Sequence, residues 1–183
     1  MIPRCRDESQ LKGLDEFIDW AIQTNGRIHL SMAEIGCYIG ESTERFLMRP
    51  EIDTIICVDI WNDNFYRRHY GYESEDLSGK NSIESNFDDL VLRYPGRIKK
   101  IKDTSVNAAK TVKDLSLDII YIDAAHDYNS VLEDKNAWFK KTRIGGVFGG
   151  HDYIGYIGVY NAVNESFGKP ERVFFDSSWA IKV

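Results

Sequence analysis

Short runs of nearly continuous apolar residues alternate along the chain with segments whose apolar residues recur every three or four positions. The first pattern is typical of buried parallel strands and the second of amphipathic helices. The runs predict a first strand that ends at Glu34-Ile35-Gly36, followed by strands over 53–59, 97–101, 117–123 and 145–153. Segments with the helical pattern lie between these predicted strands.

Capping and stop signals define the predicted helices. The first helix starts at Asp7 or Ser9, which can both cap a helix, and it ends at Asn25-Gly26. A second helix begins after the glycines that follow the first strand and runs to about Met48. Further helices are predicted over 81–93, 106–112, from about 128 to 141, and 158–167, and the segment 171–183 reads as a hairpin of two short strands.

Strand–helix units in this order favour parallel strands joined by right-handed crossovers. The predicted fold class is α/β: a doubly wound, Rossmann-like, mostly parallel seven-stranded sheet with a C-terminal antiparallel hairpin and helices on both faces. A length of 183 residues fits a single domain over 1–183. The aromatic-rich segment 61–80 interrupts the strand–helix rhythm, and we interpret it as a loop that forms a lid or substrate-facing insertion, or alternatively a dimer contact.

The turn after the first strand carries the clearest candidate chemistry. Gly36 and Gly40 are four residues apart, which allows a tight turn and a close approach of the backbone to a ligand. Asp59 ends the second strand, 19 residues after Gly40, where an acidic residue can accept hydrogen bonds from ribose hydroxyls. The segment Glu41-Ser42-Thr43 lacks the third glycine that a dinucleotide pyrophosphate needs.

The composition of the chain limits the classes of binding partner that we expect. The formal net charge of −6 disfavours nucleic acid, and no apolar run approaches the ~18 residues that span a bilayer, so we expect no membrane partner. The cysteines Cys5, Cys37 and Cys57 have no metal-site spacing, which favours reduced thiols in a cytoplasmic protein. We expect a small-molecule substrate, and a homodimer stays open.

Two further motifs give the sequence a family resemblance. The stretch from Glu34 to Ser42 resembles the first motif of the catechol O-methyltransferase-like enzymes, which are class I S-adenosylmethionine-dependent methyltransferases. The second half resembles the methyltransferase-24 family, in which Asp-x-x-His follows one strand and Gly-Gly opens a strand that ends in an acidic pair or His-Asp. The matching residues here are Asp123, His126, Gly145, Gly146, His151 and Asp152.

The resemblance implies S-adenosylmethionine as the cofactor. Its carboxylate would lie on the turn amides and the Ser42 hydroxyl, Glu34 would face its amino group, and Asp59 would hold the ribose. Ile60 would contact the adenine, and Asp103, Thr104 or Ser105 would lie at the adenine edge. The full set of expected cofactor-binding residues is Glu34, Gly36, Tyr38, Gly40, Ser42, Asp59, Ile60, Asp103, Thr104, Ser105 and Asp123.

The expected reaction is methyl transfer to a hydroxyl of a small molecule such as a sugar, a polyketide or a phenol-like compound. His126 would act as the general base, with Asp123 as the second catalytic residue. Asp123 and Asp152 end neighbouring strands, so their carboxylates can converge on Mg²⁺. His151 is the third expected metal ligand, and it would shift the preference toward Mn²⁺.

Three other functions fit parts of the pattern. A nicotinamide-dependent oxidoreductase would use the same sheet and Asp59, although the missing third glycine argues against it. A metal-dependent hydrolase would use a cluster of Asp123, His126, His151 and Asp152. A non-enzymatic cofactor-binding or scaffold domain is the third alternative.

Overall fold

The structure is a computed structural model, and it describes residues 5–70 and 82–183. The helices are α1 (Glu8–Asn25), α2 (Glu41–Leu47), α3 (Asp63–Tyr70), α4 (Ile83–Arg93), α5 (Ser105–Ala109), α6 (Tyr128–Trp138) and α7 (Ile157–Phe167), with a 3-10 turn at Phe139–Lys141. The strands are β1 (Leu30–Ile35), β2 (Ile52–Asp59), β3 (Ile98–Lys102), β4 (Leu117–Ile122), β5 (Thr142–Gly150), β6 (Arg172–Val173) and β7 (Trp179–Lys182).

These strands form one seven-stranded sheet in the order β3-β2-β1-β4-β5-β7-β6. The first five strands pair in parallel, whereas β7 pairs antiparallel with both β5 and β6. The predicted fold class, including its C-terminal antiparallel hairpin, is therefore confirmed. The chain order reverses direction between β1 and β4, and a ligand crevice is expected at that point, outside the carboxyl ends of the strands.

Two apolar clusters cover the two faces of the sheet. On one face, residues of α1, α2 and α4 pack around Phe17, Phe46 and Phe87. On the other face, residues of α5, α6 and α7 pack around Trp138 and Phe148. Alternate residues of each central strand serve alternate clusters, as strand geometry requires, and the predicted helices on both faces are confirmed.

The start of α1 agrees with one of its two predicted caps. The Asp7 side chain accepts a hydrogen bond from the backbone N–H of Gln10, and the Gln10 side-chain oxygen accepts one from the backbone N–H of Asp7, which makes a capping box. The Ser9 hydroxyl donates to Asp7 at 2.6 Å, so Ser9 supports the cap instead of forming it. At the other end of the helix, Gly26 adopts the left-handed conformation with φ 68°.

Several predicted boundaries were wrong. The fifth strand starts at Thr142, before the predicted Gly145, because its pairing with β4 shifts register at an irregularity that spans the glycines. The helix predicted over 106–112 is shorter, since α5 begins at Ser105 and ends at Ala109. The helix predicted from residue 81 begins at Ile83 with Ser82 as its cap.

The insertion predicted as a loop over 61–80 contains a helix. Residues 63–70 form α3, while residues 71–80 of the predicted lid lie outside the described residues. The spacing of Phe65 and Tyr66 among polar residues gave no clear helical period. Within the described parts of the chain, no helix is long and apolar enough to cross a membrane.

Candidate active site

The turn between β1 and α2 lies at the reversal point of the sheet. Gly36 has φ 87°, and a Cβ atom there would lie 1.9 Å from the carbonyl oxygen of Asp123, so only glycine fits. Tyr38 has φ 48°, which is unusual for a residue with a side chain, and Gly40 has φ 92°. Three residues of one short turn thus adopt the left-handed region and bring β1 close to the end of β4.

Asp59 is the anchor of this turn. Its carboxylate is 5% exposed and accepts hydrogen bonds from the backbone N–H groups of Cys37, Tyr38 and Trp61 at 2.8–2.9 Å. The hydroxyl of Tyr66, on α3, lies 2.8 Å from both carboxylate oxygens. Burial raises the pKa of Asp59, and these donors act against that shift.

Glu34 points into the protein beneath the same turn. It is fully buried, and it accepts hydrogen bonds from the hydroxyls of Ser42 and Thr43 on α2. Burial raises the pKa of Glu34 to about 7, although the two hydroxyls partly offset the shift. The Ser42 hydroxyl was expected to face a ligand carboxylate, and the structure turns it toward Glu34 instead.

The residues predicted near the adenine lie at the ends of β2 and β3. Ile60 is half-buried directly after β2. Asp103 is exposed, and its carboxylate accepts from the backbone N–H of Thr104 at 2.7 Å. The Ser105 hydroxyl accepts a hydrogen bond from the Trp138 indole at 2.9 Å, which ties the start of α5 to α6.

A second cluster of titratable groups follows β4 and β5. One ligand atom each from Asp123, His126 and Asp152 lies within 4.8 Å of the others, and all three residues are half-buried. His126 Nε2 is 2.8 Å from Asp152 Oδ2, and the Tyr156 ring stacks on His126 with centroids 4.1 Å apart. Asp152 has φ 63°, and such a conformation often marks a functional constraint.

His151 lies on the inner side of this cluster. Its Nδ1 is 3.0 Å from Asp152 Oδ1, and its Nε2 is 3.8 Å from the buried Asp176. Its Nδ1 is also 4.0 Å from Asp123 Oδ1, so the structure brings His151 as well as His126 close to the two carboxylates.

The pKa values of this cluster follow from its pairing. The hydrogen bond to Asp152 raises the pKa of His126, against the opposing effect of burial. Burial would lower the pKa of His151, but Asp152 and Asp123 outweigh it and raise that pKa to about 8. Burial would raise the pKa of Asp152, but the two histidines hold it well below its usual range.

Three contacts in the site were missed by sequence reasoning. The Arg6 guanidinium donates to Asp123 Oδ2 at 2.5 Å from a position 117 residues away. Tyr66 binds Asp59, and Tyr156 packs on His126. The aromatic content around 61–72 was a signal for the first of these two tyrosines, whereas nothing in the local pattern pointed to Arg6.

A cavity opens beside the second cluster, between α6 and α7. Its walls combine the polar groups Asp123, His126 and Asp152 with apolar side chains, among them Val131, Phe148 and Phe167. A site that joins an apolar wall to a few convergent polar groups is suited to a small organic ligand.

Comparison with known proteins agrees with this arrangement. A family model described as a methyltransferase domain matches residues 33–153. A solved protein from Corynebacterium glutamicum has a TM-score of 0.66 at 13% identity, with 99% of this chain and 82% of that chain covered. The O-methyltransferase NovP has a TM-score of 0.65 at 16% identity, with 95% and 79% covered.

A third solved structure contains a cofactor product. The 1,6-didemethyltoxoflavin-N1-methyltransferase of Burkholderia thailandensis, solved with S-adenosylhomocysteine, has a TM-score of 0.52 at 12% identity, and the match covers 97% of this chain and 63% of that chain. At these identities the likenesses establish the fold. No curated protein matches the chain.

The fold, the glycine turn at its reversal point and the matching family model define an S-adenosylmethionine-dependent methyltransferase. Because the model covers more than half of the residues, the chain belongs to the methyltransferase-24 family. S-adenosylmethionine is its methyl donor.

Proposed function

We propose that the protein transfers the methyl group of S-adenosylmethionine to a hydroxyl of a small molecule, such as a sugar, a polyketide or a phenol-like compound. The observation that carries the proposal is the His126 ring, which Asp152 and Tyr156 hold at the ligand edge of the sheet. A hydroxyl must lose its proton as it attacks a methyl group, so a positioned base is needed there. The net charge of −6 favours a small acceptor over nucleic acid.

The hydrogen bond to Asp152 supports the role of a base for the His126 ring. A carboxylate only accepts hydrogen bonds, so His126 Nε2 carries a proton and Nδ1 is the basic atom of the neutral ring. The proton of the acceptor hydroxyl would therefore move to Nδ1. Asp152 would stabilise the resulting imidazolium, which is consistent with its raising of the His126 pKa.

Asp59 is the proposed ribose ligand, and Gly36, Tyr38 and Gly40 would shape the turn against the cofactor. Asp59 accepts from three backbone N–H groups and from Tyr66, so its oxygens have little capacity left. A ribose hydroxyl would therefore have to replace the Tyr66 hydroxyl on Asp59. Glu34 and Ser42 would support the turn from beneath, and Ile60 and 103–105 would border the adenine.

A divalent cation fits the second cluster. Asp123, His126 and Asp152 each place a ligand atom within 4.8 Å of the others, and carboxylate oxygens suit Mg²⁺ or Mn²⁺. Asp123, Asp152 and His151 would hold the ion, since His151 Nδ1 lies 4.0 Å from Asp123 Oδ1 and 3.0 Å from Asp152 Oδ1. When bound, the ion would lower the pKa of the acceptor hydroxyl.

The test is a methyl-transfer assay with isotopically labelled S-adenosylmethionine and pairs of acceptors that differ only in a hydroxyl or an amine. We expect labelled product from the hydroxyl members, and a strong loss of turnover in His126→Ala with cofactor binding retained. Calorimetric titration of the wild-type protein with S-adenosylmethionine, alone and with Mg²⁺ or Mn²⁺, and with NAD⁺ as the contrast, gives the binding control. Transfer to amines alone, or full turnover without the His126 ring, would refute the proposal.

A further inference from the structure

The N-terminal segment 5–6 contacts Glu41 at the start of α2 and Asp123 after β4, and it places a cation in the second cluster. Arg6 Nη2 is 2.5 Å from Asp123 Oδ2, and the Arg6 side chain is only 18% exposed. Burial would lower the pKa of Arg6, but Asp123 and other acidic groups outweigh it and raise that pKa. Arg6 is thus a permanent, half-sequestered positive charge bound to a proposed metal ligand.

Glu41 holds the backbone of Cys5 and Arg6. The backbone N–H groups of Cys5 and Arg6 both donate to Glu41 Oε2, at 3.1 and 2.9 Å. Arg6 Nη1 is 3.8 Å from the same carboxylate oxygen. Glu41 therefore offers Arg6 an alternative partner close by, and the segment can leave Asp123 without leaving its charge unpaired.

From these contacts we infer that Arg6 and a divalent cation exclude each other at Asp123, so that metal binding releases Arg6 and the neighbouring Cys5 from the site. The inference rests on the metal site of the proposed function. Two cations on one half-buried carboxylate repel each other strongly, because solvent screens them poorly there. Asp123 Oδ2, which Arg6 occupies, is one of the two oxygens through which Asp123 can bind an ion.

Because the two binding events are thermodynamically linked, the inference can be tested either through metal binding or through the docking of Arg6. If metal weakens the docking of Arg6, then docked Arg6 weakens metal binding by the same factor. Arg6 would consequently be a residue that sets the metal affinity without itself touching the metal. It would also connect the N-terminal segment to the state of the active site.

The first experiment measures Mn²⁺ binding by electron paramagnetic resonance of the free ion, at one pH and without cofactor. Compared with wild type, we expect Arg6→Gln to bind Mn²⁺ roughly tenfold more tightly. Arg49→Gln is the matched control, because Arg49 is similarly buried and pairs with Asp15 and Asp19 on α1. Unchanged or weaker Mn²⁺ binding in Arg6→Gln, or no binding by either protein, would overturn the inference.

The second experiment uses the wild-type sequence and remains informative if Arg6→Gln folds poorly. Cys5 is exposed while Cys37 and Cys57 are buried, so a nitroxide reagent labels the segment next to Arg6 selectively. We expect Mg²⁺, which is diamagnetic, to narrow the spectrum as the segment is released, and labelled Arg6→Gln to be mobile without Mg²⁺. A spectrum that does not respond to saturating Mg²⁺ contradicts the inference.

The two proposals fail separately. Methyl transfer to hydroxyls without an Arg6 effect on Mn²⁺ would keep the proposed function and remove this inference. Tighter Mn²⁺ binding in Arg6→Gln without transfer to hydroxyls would keep the inference and remove the O-methyl specificity.

Discussion

The two halves of the candidate site hold their carboxylates in different ways. On the side of β1 and β2, Asp59 is 5% exposed, and three of its donors are backbone N–H groups. On the side of β4 and β5, Asp123 and Asp152 are half-buried, and their partners are the charged or titratable side chains of Arg6, His126 and His151. The first half, around Asp59, is fixed by backbone hydrogen bonds, and we call it the rigid half. The second half, around Asp123 and Asp152, is held by side-chain ion pairs that can exchange partners, and we call it the exchangeable half.

This difference matches the demands of the proposed reaction. A cofactor that every turnover uses in the same pose benefits from a rigid turn, and backbone donors cannot rotate away. Proton transfer and metal binding need groups whose protonation and partners can change, and side-chain pairs at a half-exposed edge allow this. We therefore expect substitutions in the first half to act mainly on stability and cofactor affinity, and those in the second half on turnover and metal affinity.

The largest expected effect breaks the rigid half. Gly36→Ala would bring a Cβ atom to 1.9 Å from the Asp123 carbonyl oxygen at φ 87°. We expect a loss of about 4 kcal/mol or more in the free energy of unfolding, or no folded protein, as measured by urea denaturation. Gly96→Ala is the control, because Gly96 has φ 77° and nothing within 4 Å of the added atom. It should lose only about 1 kcal/mol, and equal losses would show that steric contact with β4 is unimportant.

The next effect belongs to the exchangeable half. We expect His126→Ala to lower kcat by roughly 10²–10⁴-fold through loss of the base, with little change in S-adenosylmethionine affinity. Wild-type kcat should rise with pH through a His126 pKa above the ordinary value, since the ring must be neutral to accept the proton. Steady-state kinetics and calorimetry separate the two quantities. If cofactor binding falls as much as kcat, the functional division between the halves is wrong.

A third prediction concerns the buried carboxyl beneath the rigid turn. The pKa of Glu34 is raised to about 7, so the folded state keeps a proton that the unfolded chain releases near its ordinary pKa of 4.5. The protonated Glu34 therefore contributes fully to the free energy of unfolding below pH 4.5, and this contribution is lost as the pH rises through about 7. Glu34→Gln avoids this loss, so its free energy of unfolding relative to wild type should increase by up to about 3 kcal/mol between pH 5 and pH 8.

Urea denaturation at both pH values measures this difference. Glu44→Gln is the control, because Glu44 lies on α2, whose Ser42 and Thr43 contact Glu34, and is itself paired with Arg93. A stability difference between Glu34→Gln and wild type that stays constant over this range would mean that Glu34 does not titrate there.

The smallest expected effect tests whether Tyr66 on α3 limits the binding of the cofactor at Asp59. Tyr66→Phe removes the side-chain donor that would compete with ribose for Asp59. We expect S-adenosylmethionine affinity to rise about threefold to tenfold, the worth of one net hydrogen bond. Calorimetry checks this, with Tyr94→Phe at the end of α4 as the control. A fall in affinity would place the Tyr66 hydroxyl in the cofactor-bound state instead.

Local sequence patterns predicted much of this molecule. The apolar runs of β1, β2 and β4 and the helical spacing of α1 and α4 were read correctly, because burial on a strand or a helix face imposes a period that residues show directly. Gly36 and Gly40 were predicted at the turn for the same kind of reason, since a left-handed backbone selects glycine. Helix α3 and the first residues of β5 escaped prediction, because packing and a register irregularity decided them.

The sequence by itself determined the fold class, the turn and the order in which the candidate residues follow the strands. Only the tertiary structure decided that Arg6 reaches Asp123, that Tyr66 covers Asp59, and that His126 joins His151 beside the two carboxylates. The physical reason is the separation along the chain of the residues that interact. Strands, helices and glycine turns follow from neighbouring residues, whereas these contacts join side chains from distant elements and depend on how those elements pack and where the backbone turns.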